Sequence, residues 1–310
     1  MKKAIAAVLL ALLPIALCGC SGYRETDNEY IISAIAFKNS GGGFLAYAEV
    51  LDIGSDSDST ENKIFKARGD TPYKAVNALI YMLPKNAVFD HCAVAITENN
   101  IYGEDLKSVF DYLFDAKNLN LGIYMYNTAG VDDIFSCKAQ ELSVGYDIMA
   151  IQTNIEKTTG IPFKNKYYEV LSRIEASDGF CLPLLSAEDK RPVISGQTVY
   201  AHMLPALTLS EDEAVLFNLL FSGSSGGEIS VSDKRCRLNG VTSRISLQGG
   251  GVAFDIVCNY RYGEEEELSL LLKRETALAL KKIINANALC ALGINTDKEV
   301  KYAGVRVNGN

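Results

Sequence analysis

Hydrophobic and polar positions repeat at different spacings along this chain, and the spacing changes with position. Glu29 to Phe37 and Phe44 to Ile53 are largely apolar runs rich in Ala, Ile, Val and Tyr, joined through Asn39-Ser40-Gly41-Gly42-Gly43. They predict two strands and a glycine turn. The tract 54–60 is acidic, small and without apolar anchors, and reads as an exposed loop. Val76, Leu79, Ile80 and Leu83 then fall on one helical stripe. Thr71 is placed to cap that helix, Pro72 suits its first position, and Pro84 stops it. Ala93 to Thr97 predicts a short buried strand. Leu106, Val109, Phe110 and Leu113 stripe a second helix, and Leu121 to Tyr126 a further strand. Strands alternating with helices point to a partly parallel sheet covered by helices.

From Gly145 the period is helical over Tyr146 to Lys157 and over Lys164 to Ala176, with Gly160-Ile161-Pro162 between. Ser186 to Pro192 is charged and proline-ended, which reads as a linker. Ser210-x-x-Glu213 is a capping box ahead of a helix over Ala214 to Phe221, closed by Ser222-Gly223. Beyond it the period becomes two. Val241, Ser243, Ile245 and Leu247 alternate with polar neighbours, and so do Phe254, Ile256, Cys258, Tyr260 and Tyr262. A long helix follows, with Glu264 to Glu267 at its positive end and Lys281 and Lys282 in its later half. Leu268, Leu272, Ala279, Ile283 and Ala286 form its apolar face, which must cover the half-apolar strands before it. Glu299 to Val307 predicts a last strand. The fold class is therefore α+β and multi-domain: an N-terminal mixed α/β sheet region over 29–192, then an antiparallel meander packed on a long helix over 193–310.

The first 20 residues follow neither period. Lys2-Lys3 precede an unbroken apolar stretch, Ala4 to Leu17, with Gly19 just before Cys20. That is a signal-peptide pattern, too short for a comfortable transmembrane helix, which needs ~20 apolar residues. A cysteine directly after Leu17-Cys18-Gly19 resembles a bacterial lipobox. It predicts a signal peptide over 1–19, a diacylglyceryl group on Cys20 and a tether over 20–28. Two acyl chains anchor a protein stably where one does not. The formal net charge of −8 becomes −10 once Lys2 and Lys3 leave with the signal. This excludes a basic nucleic-acid face and leaves no polybasic segment to help bind anionic lipid.

Chemistry-bearing residues are sparse. Besides Cys18 and Cys20 there are Cys92, Cys137, Cys181, Cys236, Cys258 and Cys290, no two as C-x-x-C and all among apolar or alternating neighbours. They read as buried free thiols rather than metal ligands. His91 and His202 have no ligand or triad partner at a usable spacing and read as buried or half-buried structural residues. Ser224 and Ser225 lie in a glycine-rich turn without the strand-turn-helix context of a nucleophile elbow. Asp111 and Asp115 share a helix face opposite the apolar stripe and read as solvated. No phosphate loop or dinucleotide fingerprint is present. The residues thus give no catalytic, cofactor or metal site, and the chain reads as a non-enzymatic, exported, membrane-tethered protein.

The order of features resembles the spore germination receptor C-subunit family, the Ger(x)C lipoproteins. After the lipid cysteine come Tyr23-Arg24-Glu25 and the opening strand. A helix ending Leu83-Pro84-Lys85 and the His-led strand His91-Cys92-Ala93-Val94-Ala95-Ile96 follow. Leu119-Asn120-Leu121-Gly122-Ile123-Tyr124, Thr159-Gly160-Ile161-Pro162, and the capped helix, meander, long helix and terminal strand complete the series. The chain departs from the family in lacking tryptophan altogether and in a compact C-terminal half. The resemblance implies a subunit of a nutrient germinant receptor on the outer face of the spore's inner membrane, beside A and B membrane subunits. Among site residues it carries over only Cys20. The competing readings are a solute-binding lipoprotein of a nutrient transporter, which would need two similar α/β lobes around a cleft, and an envelope hydrolase, which would need a nucleophile and base.

Overall fold

The computed structural model describes residues 28–52, 61–116, 119–177, 179–221, 224–231, 234–248, 251–260, 265–292 and 301–309. Cys20, the signal and tether segments, the acidic tract 54–60, Ser222-Gly223 and Tyr262 lie outside these residues, as do the side chains of Cys236, Glu265 and Leu268.

The first sheet has nine strands, β1 (Glu29–Asn39), β2 (Phe44–Asp52), β3 (Glu61–Gly69), β4 (Asn86–Val88), β5 (Val94–Glu98), β6 (Tyr124–Thr128), β7 (Gly179–Glu188), β8 (Arg191–Ala201) and β9 (Leu204–Ser210). Its order is β3-β2-β1-β5-β6-β7-β8-β9, with β4 alongside the start of β1. The centre, β1-β5-β6-β7, is parallel and both wings are antiparallel. Parallel strands need crossovers, and these supply helices for both faces. Helices α1 (Pro72–Met82), α2 (Glu104–Asp115) and α5 (Tyr167–Ser177) cover one face through Val76, Leu79, Leu106, Val109, Phe110, Leu113, Tyr167 and Val170. Helices α3 (Val131–Phe135) and α4 (Val144–Thr159) cover the other through Val131, Ile134, Val144 and Ile148. Local signals set the ends. Thr71 accepts from the Lys74 N–H at 3.2 Å, Ser143 accepts from the Tyr146 N–H at 3.1 Å, and Gly160 closes α4 at φ 72°.

The second sheet is β10 (Gly226–Val231), β11 (Lys234–Gln248), β12 (Gly251–Tyr260) and β13 (Lys301–Gly309), in that order. The long helix α7 (Glu265–Asn285) packs Leu272 and Leu280 against Phe254, Ile256 and Cys258. Between the sheets lies α6 (Glu211–Phe221), with Ala214, Leu216, Phe217, Leu219 and Leu220 all buried. A helix apolar on nearly every side after its first turn is a buried connector.

Several expectations are corrected. Residues 186–192 are not a linker, and the boundary expected at 192/193 falls inside β8, which is paired on both sides. Asp189 and Lys190 form a two-residue hairpin with φ 49° and 61°, and His202 and Met203 form the next with φ 51° and 63°. Such turns usually advertise themselves through Asn-Gly or Asp-Gly, and here neither does. The meander is not wholly antiparallel. Helix α7 carries the chain back along the sheet, so β13 runs parallel to β12. Strand β6 begins at Tyr124 with Leu121 exposed, and α5 begins at Tyr167, because Lys164 turns left-handed at φ 56° and Asn165 points inward to bond the Met125 carbonyl at 2.8 Å.

Candidate functional site

The residues with chemical potential are not brought together. His91 and His202 are both exposed, in turns, contrary to the expected burial. His91 only lends its carbonyl to the Tyr146 hydroxyl at 3.2 Å. Ser224 bonds the Gly226 carbonyl at 2.6 Å and serves a turn. Asp111 and Asp115 are exposed on α2. Cys92, Cys137 and Cys181 are buried free thiols, and Cys258 and Cys290 are buried as well. Burial pushes the Cys92 and Cys181 thiols up to about 12, which keeps them protonated and unreactive. Among the described residues no group of three or more His, Cys, Asp or Glu could hold a metal. A groove of about 460 Å³ between α4 and β8 is walled by Ile151, Ile155, Pro192, Val193 and Ile194, with Glu188 and Glu211 on its lining. It has no convergent set of donors.

What the structure does build is three joints. At the first, Glu49 on β2 is fully buried. Its carboxylate accepts from Ser33 Oγ (2.8 Å), Asn62 Nδ2 (2.5 Å) and the backbone N–H groups of Val144 and Gly145 (2.8 Å each). The last two open α4, so an acid from the sheet satisfies the free donors of a helix N-terminus and meets its dipole. Gly145 is needed there, since a Cβ would lie 2.8 Å from the Ser33 carbonyl oxygen. The signal in the sequence was an acid inside Phe44 to Leu51, otherwise wholly apolar.

At the second, near the carboxyl ends of β1 and β5, Asp132 of α3 accepts from Lys66 (2.5 Å), Lys38 (3.1 Å) and Tyr47 (3.0 Å). Lys38 also lies 3.4 Å from Glu98, and Lys66 sits 4.7 Å over the Tyr47 ring. The Lys66 hydrogen bond, with those of Lys38 and Tyr47, holds Asp132 down at about 2 against its partial burial. Every charge here is answered by another side chain, so this is a clasp across β1, β2, β3, β5 and α3.

The third joins the sheets. Ile161, 2% exposed, leaves the Thr159-Gly160-Ile161-Pro162 turn and enters the core under β10. A Cβ on Gly227 would come within 2.3 Å of Ile161 Cγ1. On the other flank a Cβ on Gly179 would lie 2.3 Å from the Ala291 nitrogen. There Cys181, Val199 and Leu209 of the first sheet share a core with Phe217, Val252, Ile283, Leu289 and Cys290. Neither glycine was singled out from sequence, because close backbone approach leaves no periodic trace.

Fold and joints together define a multi-layer α+β protein in which Glu49 and Asp132 tie separate elements together. Residues 22–187, more than half of the chain, match the family model described as the spore germination protein N-terminal domain. The chain therefore belongs to the spore germination receptor C-subunit family, Ger(x)C. A solved structure titled "Crystal Structure of the GerBC protein" is similar at 10% identity and a TM-score of 0.44, covering 89% of this chain and 96% of that one. No curated protein matches the chain. Among the described residues no helix is long and apolar enough to cross a membrane.

Proposed function

We propose that this protein is the lipid-anchored subunit of a nutrient germinant receptor, held on the outer face of the spore's inner membrane by a diacylglyceryl group on Cys20. It acts in germination by docking to the receptor's A and B membrane subunits, without turning over a substrate. The observation that carries this reading is where the family match starts. It begins at residue 22, two residues beyond Cys20, so the family match follows the lipobox directly. The unlike sheets, nine strands and four, speak against the paired lobes of a solute-binding lipoprotein.

The test is Cys20→Ala in the full chain, followed by cell fractionation and acyl labelling. The variant should lose the label and leave the membrane pellet. A variant that stays in the pellet with unaltered labelling overturns the anchor. Separately, substitutions of His91, His202 or Ser224 should leave germination intact at normal protein level. Loss of germination at normal abundance, together with a hydrolytic activity of the wild-type protein, overturns the docking role.

A further inference from the structure

We infer that the end of the first sheet where β1 begins lies flat on the phospholipid bilayer, with Tyr81, Met82, Phe114, Leu121 and Tyr168 as the contacting surface. This rests on the anchor at Cys20 proposed above, and it adds an orientation that an anchor alone does not set.

Strand register puts the five side chains at one end. Glu29, the first residue of β1, pairs with Asn86, four residues after Met82 at the close of α1. Ala34 pairs with Val94 and Val94 with Tyr124, so the chain before Tyr124 lies at the same end as the start of β1. Phe114 is in the last turn of α2, which leads into that chain. Leu121 accepts from the Tyr168 N–H at 3.1 Å, which brings the start of α5 to the same place. The exposures are large for such residues: Tyr81 87%, Phe114 62%, Met82 60%, Tyr168 49% and Leu121 42%. They come from three helices and a loop whose inward faces already fill the core. Exposed apolar groups gathered from separate elements mark an interaction surface.

The length of chain before β1 selects the occupant. Cys20 and Glu29 are nine Cα steps apart, which at ~3.3–3.6 Å each reaches at most about 30 Å. Strand β1 has 11 residues, and at ~3.3 Å per residue it is about 36 Å long. A lipid on Cys20 can therefore draw the near end onto the bilayer. The far end, with Tyr73, Tyr102 and Leu204 exposed, cannot be reached by a tether that would have to double back along the whole sheet. The near end is no basic patch, since Asp90 and Asp115 are exposed there alongside Lys166, which sits 5.4 Å over the Tyr124 ring. The contact is thus apolar and interfacial. Tyrosines suit it, with the ring at the acyl boundary and the hydroxyl among headgroups.

The absence of tryptophan from the chain makes a clean test. Tyr81→Trp, Phe114→Trp and Tyr168→Trp, with Tyr102→Trp as the far-end control, are made singly in the full chain. Each is reconstituted alone into phosphatidylglycerol vesicles with brominated acyl chains. The first three should be quenched at least twofold relative to unbrominated vesicles, and the control should not change. No quenching at the three, or equal quenching at all four, overturns the proposal. So does a blue shift that appears only when the receptor's membrane subunits are added, which would assign the surface to protein. The mass of the N-terminal peptide from the same preparation reads the anchor independently. An acylated Cys20 without quenching leaves the anchor and removes the orientation, whereas quenching without acylation removes the anchor and keeps the surface.

Discussion

Adjacent residues are treated differently in the two sheets. In β1, Ala34, Ile35, Ala36 and Phe37 are all buried, because helices lie on both faces. In β12, Phe254, Ile256 and Cys258 are buried while Ala253, Asp255 and Val257 between them are only half-buried. The parallel centre of the first sheet needs cover on both sides. The second keeps one face for α6 and α7 and leaves the other to water. A polar group inside the first sheet has no water beside it, and Glu49 draws all its partners from the protein while both side-chain ends of Gln197 on β8 go unmet; the second sheet can leave its polar positions solvated. Perturbing each sheet should cost stability for a different reason.

The largest effect is expected at Glu49. Glu49→Ala leaves the Val144 and Gly145 N–H groups, Ser33 and Asn62 without their shared acceptor. At ~1–3 kcal/mol per buried unsatisfied donor, with side chains partly able to repair, the loss is on the order of 5 kcal/mol. Denaturant unfolding of the full chain measures it. A loss under about 1 kcal/mol would mean that the first sheet tolerates four unmet donors at one joint, and the contrast with the second sheet would fail.

In the second sheet the vulnerable quantity is volume. Ile283 is fully buried in the core shared by both sheets, so Ile283→Ala should cost ~2–5 kcal/mol through the cavity it leaves. A single lowered melting transition is expected, because Ile283 lies in one core with Cys181 of β7, Val199 of β8 and Val252 of β12. An unchanged melting temperature would show that α7 does not pack this way.

How far could this be read from residues alone? The period-two and helical stripes placed α1, α2, α7 and both long strands of the second sheet, since each buries one face and leaves one wet, and the Ser210-x-x-Glu213 capping box placed α6. Val76 and Leu79, or Phe254 and Ile256, are legible for that reason. The β7-β8-β9 hairpins were not. Their turns are Asp189-Lys190 and His202-Met203, residue pairs that tolerate rather than demand a positive φ, and Phe180, Cys181 and Leu182 are buried on both faces without alternation. The joints escaped for a related reason. Glu49, Asp132 and Gly227 take their meaning from residues far off in the chain, and spacing cannot encode a contact 95 residues away, as from Glu49 to Val144.

The joint between the sheets predicts an intermediate effect. Gly227→Ala drives a methyl into Ile161, whose side chain can give way only by leaving its core position, so ~1–3 kcal/mol is expected from overpacking. Ile161→Ala in the same chain should relieve the side-chain part of the clash, leaving the 2.8 Å approach to the Thr159 carbonyl oxygen, so the double mutant should be less destabilised than the two single losses added together. Strict additivity would place the two residues out of contact. Smaller still is the clasp. The folded state holds Asp132 at about 2, below its ordinary value near 3.8, so its contribution is complete above pH ~4 and is lost as the pH falls toward 2. Asp132 is about half exposed, which keeps the contribution below about 1 kcal/mol. Asp132→Asn should therefore melt slightly lower than wild type at pH 7, with the gap closing at pH 2.

The smallest change in stability should accompany the largest change in assembly. On α7, Leu270, Lys273, Leu278 and Lys281 are all exposed, with Leu270, Leu278 and Lys281 on the side of the helix opposite Leu272 and Ile283 and Lys273 at its flank. Surface substitutions of this kind shift stability by no more than ~0.5 kcal/mol. Lys273→Glu with Lys281→Glu should thus leave the melting temperature in place. It replaces two positive charges by two negative ones beside exposed leucines, so a partner surface complementary to this side should be repelled. Copurification of the full chain with the receptor's membrane subunits measures this, and recovery should fall severalfold at unchanged protein level. Equal recovery would place the docking face elsewhere, and a lowered melting temperature would show that the outward side of α7 belongs to the fold, making the second sheet as fully enclosed as the first.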